Sequence, residues 1–524
     1  MKKTDLYLKP GTYIKASTTQ GEVQGTSLEN FVVSVLNNPT CCPKPSFIKD
    51  GMLMTAAYLD TSLQTVTDQG PNSSPLKLST LLVRVESALE IAERLRLEAD
   101  STVTTQTSSV IQATTTNANL VIAPNGTGAI VASIPDGTAT GGNARGQYAI
   151  DLNLRRSAST QVAQGTGSIA IGGNNSSINT QSIAIGYNNT SGNSGSGYSV
   201  AIGSNCNAVP QYSVVIGTGC TSGDNGGIAI GNSSFATGYS VAIGSNVSAS
   251  GYYSVSLGKS NSATSDYSVV SGGQSNTAST NTHATVVGGL SNTASGYCSI
   301  AGGQNATASG SRSIAFGESA LALGSNSACL AGGSAQGAGS TALAGTGNNA
   351  ISNYSLAQGY VTETRLLGQV AFSGTGYNFP FERGFCQQSL LTANRLATLN
   401  SAATTVLSLD GTGTTNLIIP YGNNRLWAVK VVATAFVSVA GGTLVLGDSY
   451  MGEFTMLFKR VGGTSSVVGV NSANLIYDTN MATAAFTFAA GASQDLQITF
   501  KAPTTASATT FRCVAKVELV EVAY

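Results

Sequence analysis

The sequence predicts a mainly β protein: an N-terminal β-rich domain, a short coiled-coil helix, a parallel β-roll built on a 14-residue repeat, and a C-terminal β-sandwich. Three observations predict it. A five-residue phrase recurs at nearly constant spacing through the middle of the chain, and charge almost vanishes over the same stretch. Beyond about residue 380, ordinary strand alternation returns.

Composition narrows the function classes first. The chain has 524 residues, of which 62 are Gly, with 10% charged and 41% apolar side chains. Low charge with that apolar content excludes a solvated, disordered chain. A formal net charge of zero gives no long-range pull on nucleic acid or anionic lipid.

Residues 1–75 read as a small β-rich domain with a turn at Cys41-Cys42-Pro43. Lys2 and Lys3 are followed by no apolar run, so a secretory signal is not expected. Residues 76–102 carry the one convincing helix, Leu78 to Asp100. Leu78, Leu81, Val85, Ala88, Ala92, Leu95 and Ala99 alternate three and four apart, which is an a/d seam. Glu90/Arg94 and Arg94/Glu98 support it at i,i+4. Such a helix pairs with copies of itself or packs on its own domain. Residues 103–160 form a connector with a hairpin over 118–133, in which Asn125-Gly126-Thr127-Gly128 supplies the turn.

Residues 161–362 are the repeat region. Ser-Ile-Ala-Ile-Gly begins at Ser168 and Ser182, and Ser-Val-Ala-Ile-Gly at Ser199 and Ser240. Close variants begin at Ser213, Gly227 and Ser254, and weaker copies at Ser268, Ala284, Cys298, Ser313, Ala328, Thr341 and Ser355. A fixed period marks a solenoid. Fourteen residues hold two short strands and two turns, so each copy is one coil of a narrow roll rising about 4.8 Å. Within the phrase Val and Ile face one way and Ser, Ala and Gly the other. If the larger face fills the roll, the small one is left for lateral association. Residues 1–115 hold 21 of the 50 charged side chains, whereas 157–361 hold five: Asp224, Lys259, Asp266, Arg312 and Glu318. A thin roll with so little charge implies oligomerisation.

Residues 363–524 read as a sandwich. Leu417–Pro420, Arg425–Val439, Thr443–Leu446, Glu453–Arg460, Leu496–Lys501 and the alternation from Arg512 to Leu519 supply its strands. The most apolar stretch, Trp427 to Leu446, carries Lys430 and a Gly441-Gly442 break, and reads as two strands with no membrane insertion.

Catalytic constellations are sparse. Eight cysteines show no C-x-x-C spacing, and His283 is the only histidine, which leaves few ligands for zinc and none for a histidine triad beyond itself. Cys206 and Cys220 each lie seven residues after a repeat start, on neighbouring coils, and are expected as reduced thiols. Gly411-Thr-Gly-Thr-Thr and Gly192-Asn-Ser-Gly-Ser-Gly lack the Lys and helix of a phosphate loop, so no cofactor is expected. Glycan cleavage needs two carboxylates across a sugar. The roll offers only Asp224, Asp266 and Glu318 on separated coils, and the C-terminal acids are Asp410, Asp448, Glu453, Asp478 and Asp495. No enzymatic activity is expected.

The Ser-Val-Ala-Ile-Gly repeat over roughly 165–360 resembles the left-handed β-roll head of YadA-type trimeric adhesins. That resemblance implies a homotrimer with three rolls side by side. The flanking phrases Leu63-Gln-Thr-Val-Thr-Asp-Gln-Gly70, Asn119-Leu-Val-Ile-Ala-Pro-Asn-Gly-Thr-Gly128 and Gly137-Thr-Ala-Thr-Gly-Gly-Asn-Ala-Arg-Gly146 are similar to bacteriophage fibre proteins. So is the segment from Asn416-Leu-Ile-Ile-Pro to Tyr524. This second resemblance implies a virion component assembled in the host cytoplasm, a tail fibre or else a head fibre. Its residues 1–75 would hold other virion proteins, and its C-terminal domain would contact a host-surface glycan or protein. A glycan-degrading spike is the third class.

Receptor contact is expected on the sandwich loops, because anchors are usually Tyr, Trp and Arg and the repeat turns are Ser, Thr, Asn and Gly. Tyr421, Asn423, Asn424 and Arg425 form one candidate loop, and Asp448 with Tyr450 a second. Packing against a neighbouring subunit is the other role open to Tyr421 and Tyr450. Trp427 lies within an alternating strand and is assigned to the core.

Overall fold

A phrase of alternating residues that ends in glycine can run straight for only about five positions before the chain must turn, and this sets the coil. The computed structural model describes residues 122–373, 386–419 and 422–523, apart from 123, 125 and 194–196, together with five short strands before residue 122. Two units divide the chain, Met1–Val121 and Ile122–Tyr524.

In the second unit each repeat makes one coil: a five-residue strand such as Val200–Ser204, a corner, a two-residue strand such as Asn207–Ala208, and a second corner. The longer strands pair in parallel and in register, so Ile183, Val200, Val214, Ile228 and Val241 stand in one column. The two-residue strands build a separate 14-stranded sheet. The first corner is glycine on most coils, with Ala331 and Ala344 in its place near the end of the roll. At Gly217, φ is +131°, and a Cβ would lie 1.8 Å from the carbonyl oxygen of Gly231 on the next coil.

Side-chain direction reverses the expectation that the larger face fills the roll. Ala170, Ala184, Ala201, Ala229 and Ala242 are fully buried, as are Ser168, Ser182, Ser213 and Ser240. The narrow sheet adds Ala208, Ala236, Ala249 and Ala263. Ile169, Ile171, Val200, Ile202, Val214 and Ile216 point outward and stay half-buried, and Ile243 is exposed. A coil this short encloses room for Ala, Ser and at most Val, as at Val215, Val270 and Val286, so the flanking Ile and Val residues form two apolar rows on the outside of the wide sheet.

Polar groups inside the roll are matched between coils. Asn175 Nδ2 donates to Ile171 O at 2.7 Å and to Gly186 O at 2.8 Å, while its Oδ1 accepts from Asn189 N at 3.0 Å. Asn189 repeats the pattern, donating to Gly203 O and accepting from Cys206 N. Cys206 and Cys220 occupy the same slot on successive coils, and their thiols donate to Gly217 O and Gly231 O, each at 3.2 Å. Both are buried free cysteines. Asn261, Asn276 and Asn292 resume the ladder. The buried amides of Asn189, Cys206, Asn276 and Asn292 each find their acceptor in the asparagine side chain of the preceding coil.

The coils extend beyond the expected bounds. Ile130–Val131 pairs in parallel with Ile150–Asp151, so it belongs to the roll and not to a hairpin. At the other end Val370–Ser373 adds a strand beyond residue 362. The repeats assigned to Cys298, Ala328 and Thr341 start one residue out of phase, because Ser299, Ser327 and Ser340 are the buried residues that precede each strand. At the roll's beginning, buried Asp151 holds Arg145 at 2.5 Å and Arg156 at 2.9 Å.

Val370–Ser373 then pairs antiparallel with Cys386–Leu399, joining the roll to the C-terminal domain. A five-stranded antiparallel sheet follows in the order Cys386–Leu399, Thr509–Ala523, Arg425–Val439, Ser449–Val461, Thr464–Tyr477. A three-stranded sheet of Thr404–Leu407, Leu496–Lys501 and Ala485–Ala490 packs over it. Trp427, Val431, Phe454, Phe458, Phe486, Ile498, Phe500 and Phe511 share their core. Thr443–Leu446 is not a strand: it makes a turn closed by a single bridge between Gly441 and Leu444, because Gly441-Gly442 and Gly447 interrupt the alternation.

In the first unit, Ile14–Thr18 pairs antiparallel with Gly21–Val23, and Met52–Leu53 with Thr67–Asp68. The Cys41–Pro43 turn lies outside the described residues. Val85 departs from the expected helix, since Arg84–Val85 forms a strand against Ile14-Lys15. Val83 and Val85 flank Arg84 with β-branched side chains, and local preference for extended backbone wins there. Leu78, Leu81, Ala88, Ala92, Leu95 and Ala99 lie outside the described residues.

Candidate functional site

Three of the six expected contact residues are built into the C-terminal domain. Arg425 is buried and pairs with Glu521 at 3.3 Å. Burial pushes the Glu521 carboxyl above its ordinary range, and the Arg425 charge only partly opposes this. Asp448 is buried and accepts from Val445 N at 2.9 Å and from Asn480 Nδ2 at 3.1 Å. Tyr450 is 5% exposed and stacks on Tyr477 with its other neighbour Phe486, so it is core and not contact. Arg425 opens the strand Arg425–Val439 as expected but faces the core, whereas the strand expected over Glu453–Arg460 begins at Ser449 and carries Tyr450 inside. Asn423 and Asn424 are exposed, as expected of a contact loop. Tyr421 lies outside the described residues. Trp427 is buried, as assigned.

The loop of Asn423 and Asn424 borders a cleft of about 500 Å³. Arg365, Leu366 and Leu367 enter it from the end of the roll, Leu409, Leu417 and Ile419 from the connection before Arg425, and Arg460 from the sheet. Asp410 holds that connection in shape. Its carboxylate accepts from Ser408 Oγ at 2.7 Å, Thr412 N at 3.1 Å, Asn416 Nδ2 at 2.8 Å and the Thr415 hydroxyl. Burial acts to raise the Asp410 carboxyl, but these donors outweigh it and hold it well below the usual carboxylate range. The Arg365 guanidinium is paired with Glu363 at 2.6 Å, so what the cleft offers a ligand is chiefly its apolar walls. Asp478 spends its carboxylate on Ser449 N and Oγ. Among the described residues no cluster of His, Cys, Asp and Glu is placed to hold a metal ion.

Sequence reasoning missed the roll's tyrosines. Tyr198, Tyr212, Tyr239, Tyr253, Tyr267 and Tyr354 each directly precede the buried serine that starts a coil. All of them are exposed. The signal was available as the recurring Tyr-Ser pair, hidden by attention to the Ser, Thr, Asn and Gly around it.

The repeat geometry has a counterpart among known families. A family model described as the YadA head domain repeat matches residues 163–189, 249–275 and 301–327. The roll carries YadA head repeats. The matched segments lie on coils with a small buried residue (Ala170, Ser256 or Ala301), a branched residue before it that points outward, and a glycine corner. A search of curated proteins gave no match. Solved structures similar to the chain include the tailspike protein of Acinetobacter phage vB_ApiP_P1, at 9% identity and TM-score 0.21, covering 76% of each chain. The tailspike of Acinetobacter baumannii phage AM24 follows at 8% identity and TM-score 0.20, covering 75% of this chain and 76% of that one. The tailspike gp49 of A. baumannii bacteriophage Fri1, a capsular polysaccharide depolymerase, gives 10% identity and TM-score 0.18, covering 75% and 70%. TM-scores of this size carry no argument about this chain.

Proposed function

We propose that the chain is a homotrimeric, non-enzymatic fibre protein of a bacteriophage particle. It is held to other virion proteins through residues 1–75 and presents its C-terminal domain to the host surface. One observation carries the trimer: the roll is already full of small side chains, and its Val and Ile rows stand on the outside with little charge around them. Exposed apolar rows of this length mark an interaction surface, and the YadA-type repeats support three rolls laid side by side. The wide sheet is then the inner face of the trimer. The phage assignment is supported by the flanking phrases before residue 146 and after Asn416.

Host contact is assigned to the loop of Asn423 and Asn424 and the cleft beside it. Native mass measurement or sedimentation of the full chain is expected to give a trimer, and a stable monomer would overturn the proposal. A gold label on whole particles separates tail from head attachment. Asn423→Ala with Asn424→Ala is expected to weaken adsorption to host cells while the trimer survives. A rise in reducing ends on incubation with host polysaccharide would replace attachment by cleavage.

A further inference from the structure

Along one corner of the roll, aromatic side chains stand one per coil. Tyr239 and Tyr253 have ring centroids 5.7 Å apart and planes 13° apart. Tyr253 and Tyr267 are 5.5 Å and 15° apart, and Tyr267 and His283 are 5.1 Å and 9° apart. Tyr297 continues the row edge-on to His283 at 6.0 Å, and Tyr252 flanks it beside Tyr239 and Tyr253. Tyr253 and Tyr267 are each 50% exposed. Carbon atoms in contact sit about 3.5–4.0 Å apart, so rings with these centroid separations overlap like tiles. Each leaves part of its face open.

The fold does not require these rings. Tyr239, Tyr253, Tyr267 and His283 all have φ between +55° and +62°, a left-handed conformation that bulky residues rarely adopt. Other coils fill the same slot with Gln181, Cys298, Arg312, Asn326 or Gly226 at similar φ, so the corner accepts many side chains and calls for no ring. Four aromatic rings in succession, in a slot that other coils fill with unrelated side chains, point to use of the rings.

We propose that this row is a binding track for a neutral, extended polysaccharide. The proposal rests on the reading of the chain as an attachment fibre. A ligand that meets one ring per coil must repeat along its own length about every five ångströms, as the units of an extended glycan do. An extended peptide advances about 3.3 Å per residue and falls out of step after one or two rungs. Sugar rings offer C–H faces to the open ring faces and hydroxyls to the phenols. Between Tyr239 and Tyr297 the only charged side chains are Lys259 and Asp266. Asp266 is engaged with Tyr252 N at 2.8 Å. This composition fits a neutral polymer and gives no basic groove for a nucleic acid.

The test uses the full chain and Tyr253→Asn with Tyr267→Asn, which copies the residue that Asn326 already supplies in that slot. Both proteins are titrated with galactomannan, dextran and hyaluronate, and their melting and native mass are recorded. A neutral polymer is expected to bind the parent chain more tightly than hyaluronate does. Loss of two aromatic anchors is expected to weaken that binding by at least ~10-fold with the oligomer intact. Equal binding by the variant, tightest binding of hyaluronate, or no binding of either neutral polymer would overturn the track. A monomer that still binds through these tyrosines would instead overturn the fibre reading alone.

Discussion

Asn292→Ala tests whether the buried asparagines hold the coils together. Asn292 Nδ2 donates to Gly288 O and to Gly303 O on the following coil, both at 2.8 Å, and its Oδ1 accepts from Ala306 N at 2.9 Å. Alanine fits the slot, because Ala306 and Ala320 fill it on the next two coils and are fully buried. The substitution therefore removes hydrogen bonds and adds no clash. Asn292 Nδ2 also donates to Asn276 Oδ1 at 3.1 Å, and four bonds at about 0.5–1 kcal/mol each give a loss of about 2–4 kcal/mol. Repeat proteins feel such losses locally, through the interface between neighbouring units. Hydrogen exchange at the Ala306 amide is the assay, with an expected acceleration of roughly 30- to 1,000-fold over the parent. An unchanged Ala306 amide, together with an unchanged melting temperature, would refute the claim that the side-chain ladder bears load between coils.

Ile216→Asp places a carboxylate in the outward apolar row and, in a trimer, three of them on one level; native mass is expected to shift from trimer towards monomer, while Ile216→Leu leaves it unchanged. Asp495 is fully buried and neither of its carboxyl oxygens has a partner, so Asp495→Asn, which keeps the shape with a less costly group to bury, is expected to raise the melting temperature. Cys206 and Cys220 should react with a thiol reagent only after unfolding. Burial raises the Cys206 thiol, and peptide mapping is expected to find no 206–220 bridge. Glu521 binds its proton more tightly folded than unfolded, so its contribution to stability is complete below its unfolded pKa and is lost as pH rises through the higher folded value. Glu521→Gln is expected to flatten that part of the melting-temperature profile.

The roll was legible because a solenoid repeats its constraint. Each glycine corner and each Ala between two branched residues restates the same coil, and thirteen-odd copies leave little freedom of phase. Direction was not legible, because alternation tells which residues share a face and not which face is inside. That depends on the volume a 14-residue coil encloses, which admits Ala201 and excludes Ile202. In the C-terminal domain the alternation around Trp427 and Phe500 located strands and core correctly. One strand start did not follow from composition: Tyr450 looks like a loop residue beside Gly447, yet it lies within Ser449–Val461, and nothing in the alternation showed that Arg425, at the start of its strand, turns inward. The cleft was invisible for a different reason. Arg365, Leu409 and Arg460 come together only once the last coil meets the sheet.

The strands of the roll lie across its axis, so the hydrogen bonds between Ile202 and Ile216, or Ile216 and Ile230, run along it. Tension applied from end to end would load those bonds in sequence, as in a zipper, and not in parallel, as in sheared strands. A lone roll would therefore yield coil by coil at modest force, each release lengthening the chain by one repeat. The outward Val and Ile rows change this if three rolls share them, because peeling one coil then also means exposing apolar surface on its neighbours. The same tether would be stiff while the load is brief and would pay out slack when it persists. Single-molecule pulling would register it as evenly spaced steps of about fourteen residues.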